Sequence, residues 1–315
     1  MNLRGIASGP ILLWALLTSP PALAVPPGQV SWTAEAVCSY RAIGALHSDP
    51  RLRNRDHLAG RFCQPVALPH EYEAARDVID VDPEAHAGFF YVNARTRHID
   101  DRLDRVVAEG VTQVVVLGAG FDSRAYRFSA PYPQVRFFEV DLPETIAAKA
   151  RAVKRLLGQL PANVRLAAID FDKQSLHEVL SAAGYDPQQL SFFIIEGVVM
   201  YLSAAGNEAT FTFIRDHAPA GSPVVFDYVW RRVVEGDFDG LYAVRAEARG
   251  VALAGEPFLT GWSPTEAAQF AERHGLVVIE NLDTAELTRQ YGTGSDGQPD
   301  GRLPDGYGIL YLKHR

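Results

Sequence analysis

Asp141, Asp170 and Glu196 each close a short, mostly apolar run, FFEV, AAI and FFII respectively. Such runs suit strands buried on both faces of a parallel sheet. Carboxylates at the carboxyl ends of such strands face the crevice where open α/β sheets bind ligands. Asp141 is placed to accept hydrogen bonds from ribose hydroxyls. Asp170 can take an adenine amino proton while Phe171 packs on the ring, and Glu196-Gly197 opens into the cleft before VVMYL. For Asp141 and Asp170 the competing role is a helix N-cap. Another chemical signal is the turn Leu117-Gly118-Ala119-Gly120-Phe121-Asp122-Ser123-Arg124. Glycines there let the chain turn sharply and let a ligand approach the main chain. A dinucleotide site carries a third small residue and rests a pyrophosphate on the helix N-terminus. Here Ser123 holds that position and Asp122 is expected to face the ligand, where it would repel phosphates. A sulfonium-bearing, phosphate-free nucleoside fits better, so S-adenosylmethionine (SAM) is favoured over NAD.

These residues need a scaffold. Strands are expected at Gln113–Leu117, Val135–Val140, Val164–Ile169, Ser191–Ile195 and Pro223–Tyr228, with two more at Leu276–Glu280 and Gly308–Leu312. Helices alternate with them at Pro143–Leu157, Lys173–Ala182 and Ala204–His217, and later near 239–250 and 264–274. This alternation predicts an α/β, doubly wound, seven-stranded sheet. Upstream, helical spacing covers 33–47, 54–63, 70–79 and 84–109, the last interrupted near Tyr91. The expected organisation is an extension over 1–30, a helical cap over 31–110 and a ligand-binding core over 111–315. Gly292–Gly306 reads as a surface loop.

The 315 residues carry a net charge of -8, which argues against sequence-independent nucleic-acid binding. With only Cys38 and Cys63 and no CxxC, no thiolate zinc site is expected; a disulfide is open, but two free thiols are the plainer reading. No cluster with metal-ligand spacing stands out. The start has a signal-peptide outline: the run ILLWALL, then Ala22-Leu23-Ala24 before Val25. The run is too short to span a membrane. Oligomeric state is not readable.

VVVLGAGFDSRAYR (114–127), FFEVDLP (137–143) and EGVVMYL (196–202) together resemble the leucine carboxyl methyltransferase family. The likeness is closest to its bacterial branch of SAM-dependent O-methyltransferases and runs over roughly 31–315. NARTRHIDDRL (93–103) is similar to the arginine-bearing helix of that family. The resemblance implies a class I methyltransferase core of Rossmann-like type with a helical cap. It further implies that Arg95 binds the methionine carboxylate, that Gly118 and Gly120 approach through the backbone, and that Asp141 holds the ribose. Asp170 and Phe171 would contact adenine, and Glu196 the methionine amino group. For Arg95 the plain alternative is a surface ion pair with Asp100 or Asp101. Arg124 is read as bracing the turn. The family often has an acid where this chain has Val116.

The expected reaction is O-methylation of a small molecule, with a carboxylate favoured and secondary metabolism as the setting considered. A carboxylate needs no general base, whereas a hydroxyl does. Tyr201 is the candidate for orienting the acceptor oxygen, with a core aromatic as the equal alternative; His47, His86, His98, His217 and His274 read as surface or capping residues. Alternatives are methylation of a protein C-terminus, a same-fold protein using SAM for other chemistry, and an NAD oxidoreductase. SAM is held inside cells, so the cytoplasm is expected, with export as the alternative if 1–24 is a signal.

Overall fold

Short runs of Val, Ile and Phe line up side by side because neither of their faces tolerates water. The computed structural model describes residues 31–63, 71–169 and 174–315. In it, β1 (Gln113–Leu117), β2 (Arg136–Asp141), β3 (Val164–Ala168), β4 (Ser191–Ile195) and β5 (Pro223–Val229) pair in parallel. β6 (Leu276–Asp283) and β7 (Tyr307–His314) complete the order β3-β2-β1-β4-β5-β7-β6, with β7 antiparallel to both neighbours. Every residue of β1, β4 and β5 is buried. The strand order reverses between β1 and β4, so the ligand crevice is expected outside their carboxyl ends. The glycine turn leaves β1 there, and Glu196 leaves β4 beside it.

Before the sheet come α1 (Trp32–Gly44), α2 (Ala59–Phe62), α3 (Tyr72–Val81) and α4 (Ala87–Ala108). Ser31 caps α1 by accepting from the Ala34 amide at 3.1 Å. α4 runs unbroken through Tyr91, because Phe89 packs on Tyr40 of α1 and Tyr72 of α3 while Tyr91, Ile99 and Leu103 are buried in the core shared with the sheet. One core joins Cys38 and Ile43 of α1, Ile99 and Leu103 of α4, and Val114, Val116, Phe137 and Ile194 of the sheet. The other sheet face buries Val115, Phe138, Phe193 and Phe226. Along the chain follow α5 (Arg124–Arg127), α6 (Pro143–Leu157), α7 (Leu176–Ala182) and α8 (Ala204–His217). After β5 come α9 (Arg231–Val234), α10 (Val244–Leu253), α11 (Pro264–Arg273) and, between β6 and β7, α12 (Thr284–Tyr291).

Three further expectations are corrected. The helix expected over 54–63 shrinks to α2, because the Asn54 and Asp56 side chains accept the Asp56 and Ala59 amides at 2.7 and 2.9 Å. α10 starts later than expected, since the Asp305 carboxylate takes the Tyr242 amide at 2.9 Å just upstream. Cys38 and Cys63 are joined in a disulfide rather than free, because α1 and α2 pack with these Cα atoms 6.1 Å apart, within bridging range. Helix α12 was not expected; its sign is Asp283 with Glu286, which form a capping box. No helix among the described residues is long and apolar enough to cross a membrane.

Candidate functional site

Gly118 and Gly120 turn the chain with φ of +64° and +41°, a region that penalises side chains. A Cβ on Gly118 would lie 2.3 Å from Val198 Cγ2, so the turn can close against the β4 loop only without one. Asp141, at the end of β2, accepts the Gly120 amide at 2.6 Å and the Leu142 amide at 2.7 Å. Burial raises its pKa, although these amides oppose the shift. Behind the turn, Lys149 of α6 donates to the Ala119 carbonyl at 3.1 Å and to Glu139 at 2.5 Å. The Tyr126 hydroxyl donates to the same carboxylate. Burial nevertheless pushes Glu139 up to about 7.

The strand ends carry an alternating chain of charges. Arg95 of α4 donates through Nε to Glu196 at 2.9 Å and through Nη1 to Asp227 at 2.5 Å. Asp227, inside β5, also accepts the Gly197 amide at 2.6 Å and the Tyr91 hydroxyl at 3.1 Å. Arg124 reaches Asp100 at 2.7 Å, and Asp122 and Glu196 at 2.5 Å each. Burial would raise the Glu196 pKa, but Arg124 and Arg95 outweigh it and hold the carboxyl below its ordinary value. Asp122 likewise sits below its usual range, held there by Arg124 against burial. A buried cation between two acids, next to an acid between two cations, can grip a zwitterion.

The expectation that Asp122 faces a ligand is therefore corrected. Its carboxylate turns inward, where the Arg124 guanidinium and backbone amide neutralise it. Ser123, in the third-glycine position, donates to Asp56 at 2.5 Å. Asp56 in turn pairs with Arg41 of α1 at 2.9 Å, and Arg41 donates to the Phe121 carbonyl at 2.7 Å. The helices before the sheet thus hold the turn directly.

Arg95, Gly118, Gly120, Asp141 and Glu196 converge around the crevice as a set. Asp170 and Phe171 lie outside the described residues. The surface pair expected as the alternative for Arg95 does not form; the side chain is buried among Glu196, Asp227 and Tyr91. Tyr201 ends a short 3-10 turn, Val199–Tyr201, and packs on Phe258 with ring centres 5.5 Å apart. His47 accepts the Asp49 amide at 2.9 Å, and His86 contacts the Asp82 carbonyl at 2.9 Å. His274 contacts Glu208 at 2.8 Å, and His217 stacks on His177. His98 is buried rather than a surface residue, and burial lowers its pKa to about 3. Sequence reasoning missed Asp227, Arg41, Asp56 and the Glu139–Lys149 pair, and named Asp100 only as a partner for Arg95 rather than for Arg124 and Arg127. An acid inside an apolar strand, as in PVVFDYV and FFEV, was the readable sign of two of them.

The sequence profile described as leucine carboxyl methyltransferase matches residues 34–215, more than half of the chain. The chain belongs to the leucine carboxyl methyltransferase family. A provisionally named SAM-dependent methyltransferase of Mycolicibacterium paratuberculosis is 31% identical over 266 residues, covering 84% of this chain and 85% of that protein. A similarly named protein of Rhodococcus jostii is 31% identical over 272 residues, covering 84% and 87%. Among solved structures, human N-acetylserotonin methyltransferase in complex with SAM aligns over 89% of this chain and 71% of that one, with 13% identity and a TM-score of 0.46. This member of the leucine carboxyl methyltransferase family is a SAM-dependent methyltransferase with the seven-stranded α/β sheet expected for it.

Proposed function

We propose that this methyltransferase methylates an oxygen of a small molecule. The observation that carries the reading is the joining of Arg95, Glu196 and Asp227 beside an aromatic group formed by Tyr91, Tyr201, Phe258 and Tyr307. SAM supplies a methyl group on a sulfonium, so the protein's main task is alignment. In this reading Arg95 keeps its Nε and Nη1 bonds and offers Nη2 to the methionine carboxylate. Glu196 receives the amino group. Gly118 and Gly120 approach through the backbone, and Asp141 turns its carboxylate to the ribose hydroxyls. Asp170 and Phe171 serve adenine, and Tyr201 orients the acceptor oxygen. Calorimetric titration of SAM tests the cofactor half. Asp141→Ala and Arg95→Ala should each weaken binding at least about tenfold, the loss of one charge-assisted contact. Unchanged affinity in both folded variants would refute the placement.

SAM chemistry favours the cytoplasm. The Cys38–Cys63 disulfide favours the export reading of segment 1–24, because such bonds persist in oxidising compartments. Mass spectrometry of native protein separates the two. An intact leader with free thiols supports the cytoplasm, and a start at Val25 with the disulfide supports export.

A further inference from the structure

One carboxylate beside the aromatic group has no part in the network just described. Glu247 lies on α10, and its Oε1 is shut off from solvent with no hydrogen-bond partner among the described residues. That oxygen rests on Gly88 in the first turn of α4, where a Cβ would come within 2.4 Å of it. Tyr307 of β7 faces the same carboxylate, and Arg95 of α4, Tyr40 of α1 and Tyr201 lie within its electrostatic reach. Phe258 bridges the group, 5.5 Å from Tyr201 and 6.5 Å from Tyr307.

The charge balance here is acidic. Glu247 and Asp227 face the aromatic group, and Glu256 lies near Tyr201. The one cation among these contacts, Arg95, already serves Glu196 and Asp227. A carboxylate acceptor would meet like charge at close range, whereas a neutral hydroxyl would meet a base. The geometry points to an aromatic hydroxyl, a phenol or naphthol, as the acceptor, with Glu247 as the base that takes its proton. This rests on the methyltransferase reading above and departs from the carboxylate expected from the sequence. In the step, an oxygen lone pair forms the O–CH3 bond as the C–S bond breaks. The C–S electron pair returns to sulfur, which leaves as a neutral thioether, and the hydroxyl proton moves to Glu247. Burial pushes Glu247 up to about 7, with Tyr307 and Arg95 opposing, which suits a base working near neutrality.

The experiment compares binding of 2-naphthol, 2-naphthoate and 2-naphthylmethylamine by fluorescence, with and without S-adenosylhomocysteine. The wild type should favour naphthol over naphthoate by at least about tenfold, as one buried like-charge contact predicts. Glu247→Gln should erase most of that preference by admitting naphthoate. Equal binding of the probes, no binding of naphthol, or a preference for naphthoate or the amine would each overturn the assignment. So would a folded Glu247→Gln with the wild-type ratio. Should that variant fail to fold, Tyr307→Phe, which removes the hydroxyl facing Glu247, should still alter the ratio, and the wild-type ratio stands as a test alone. Failure of S-adenosylhomocysteine to bind would strike at the cofactor reading, while the probe ratio on the protein alone still judges Glu247.

Discussion

Replacing Arg124 with methionine keeps the stem of the side chain and removes its charge from among three acids. Arg124 is essentially inaccessible, with Nε 2.7 Å from Asp100 and Nη1 2.5 Å from both Asp122 and Glu196. The three acids are not equally exposed to the loss. Asp100 keeps Arg127 at 2.7 Å, and Glu196 keeps Arg95 at 2.9 Å. Asp122 has no other ion pair among the described residues; it retains the residue 124 amide at 2.6 Å and the weaker pull of Arg41 and Lys149 beyond contact distance. Stranding one buried charge costs about 3–5 kcal/mol. Against a typical stability of about 5–15 kcal/mol, Arg124→Met should fold but be marginal. The pH dependence carries a definite sign. In the wild type Asp100, Asp122 and Glu196 have lowered pKa values, so the stability they contribute is present above the ordinary carboxylate range and lost below it. Without Arg124, burial governs Asp122 and raises its pKa, a penalty that is full above the raised value and vanishes below the unfolded one. Both effects make the deficit largest near neutrality and smaller toward acid. Urea unfolding followed by tryptophan fluorescence between about pH 8 and pH 5 reads this directly. A deficit below about 1 kcal/mol, within the range of exposed pairs, would refute the reasoning. So would a deficit that grows as the pH falls.

Two further changes probe the turn and the helices that hold it. Gly118→Ala should cost at least about 1 kcal/mol from the positive φ alone, and the clash with Val198 should also weaken SAM binding; calorimetry with wild-type affinity would contradict the close approach of the β4 loop. Cys38→Ser should destabilise by about 3.5 kcal/mol, the loop-closure value for a sequence separation of 25. Because Arg41 and Asp56 lie inside that loop and grip Phe121 and Ser123, SAM affinity should fall with it. Equal thermal stability with and without reductant would count against the disulfide's structural role.

The strand ends were legible because an apolar run that stops at an acid is a local pattern, and the topology then carries each stop to the same crevice. Partner choice was not legible. Spacing along α4 offers Arg95 a pair with Asp100 or Asp101, but Asp100 is taken by Arg124 and Arg127, and Arg95 turns across the sheet to Glu196 and Asp227. Glu196 follows β4 and Asp227 lies within β5, each more than a hundred residues along the chain from Arg95, so only the fold joins them. Asp122 shows the same limit in reverse: its charge was readable, but its direction depended on an arginine two residues on that turns back to meet it. Glu247 is the extreme instance. It sits in VRAEARGVAL, where its letters suggest an ordinary solvated helix. Its burial comes from Gly88, which lacks the Cβ that would exclude it, and from tyrosines on α1 and β7. An enlarged residue at Gly88 should therefore push the Glu247 carboxylate toward water and lower its pKa, moving the acid limb of any pH–rate profile downward. A limb that stays in place in a folded Gly88→Ala protein would show that some other group sets it.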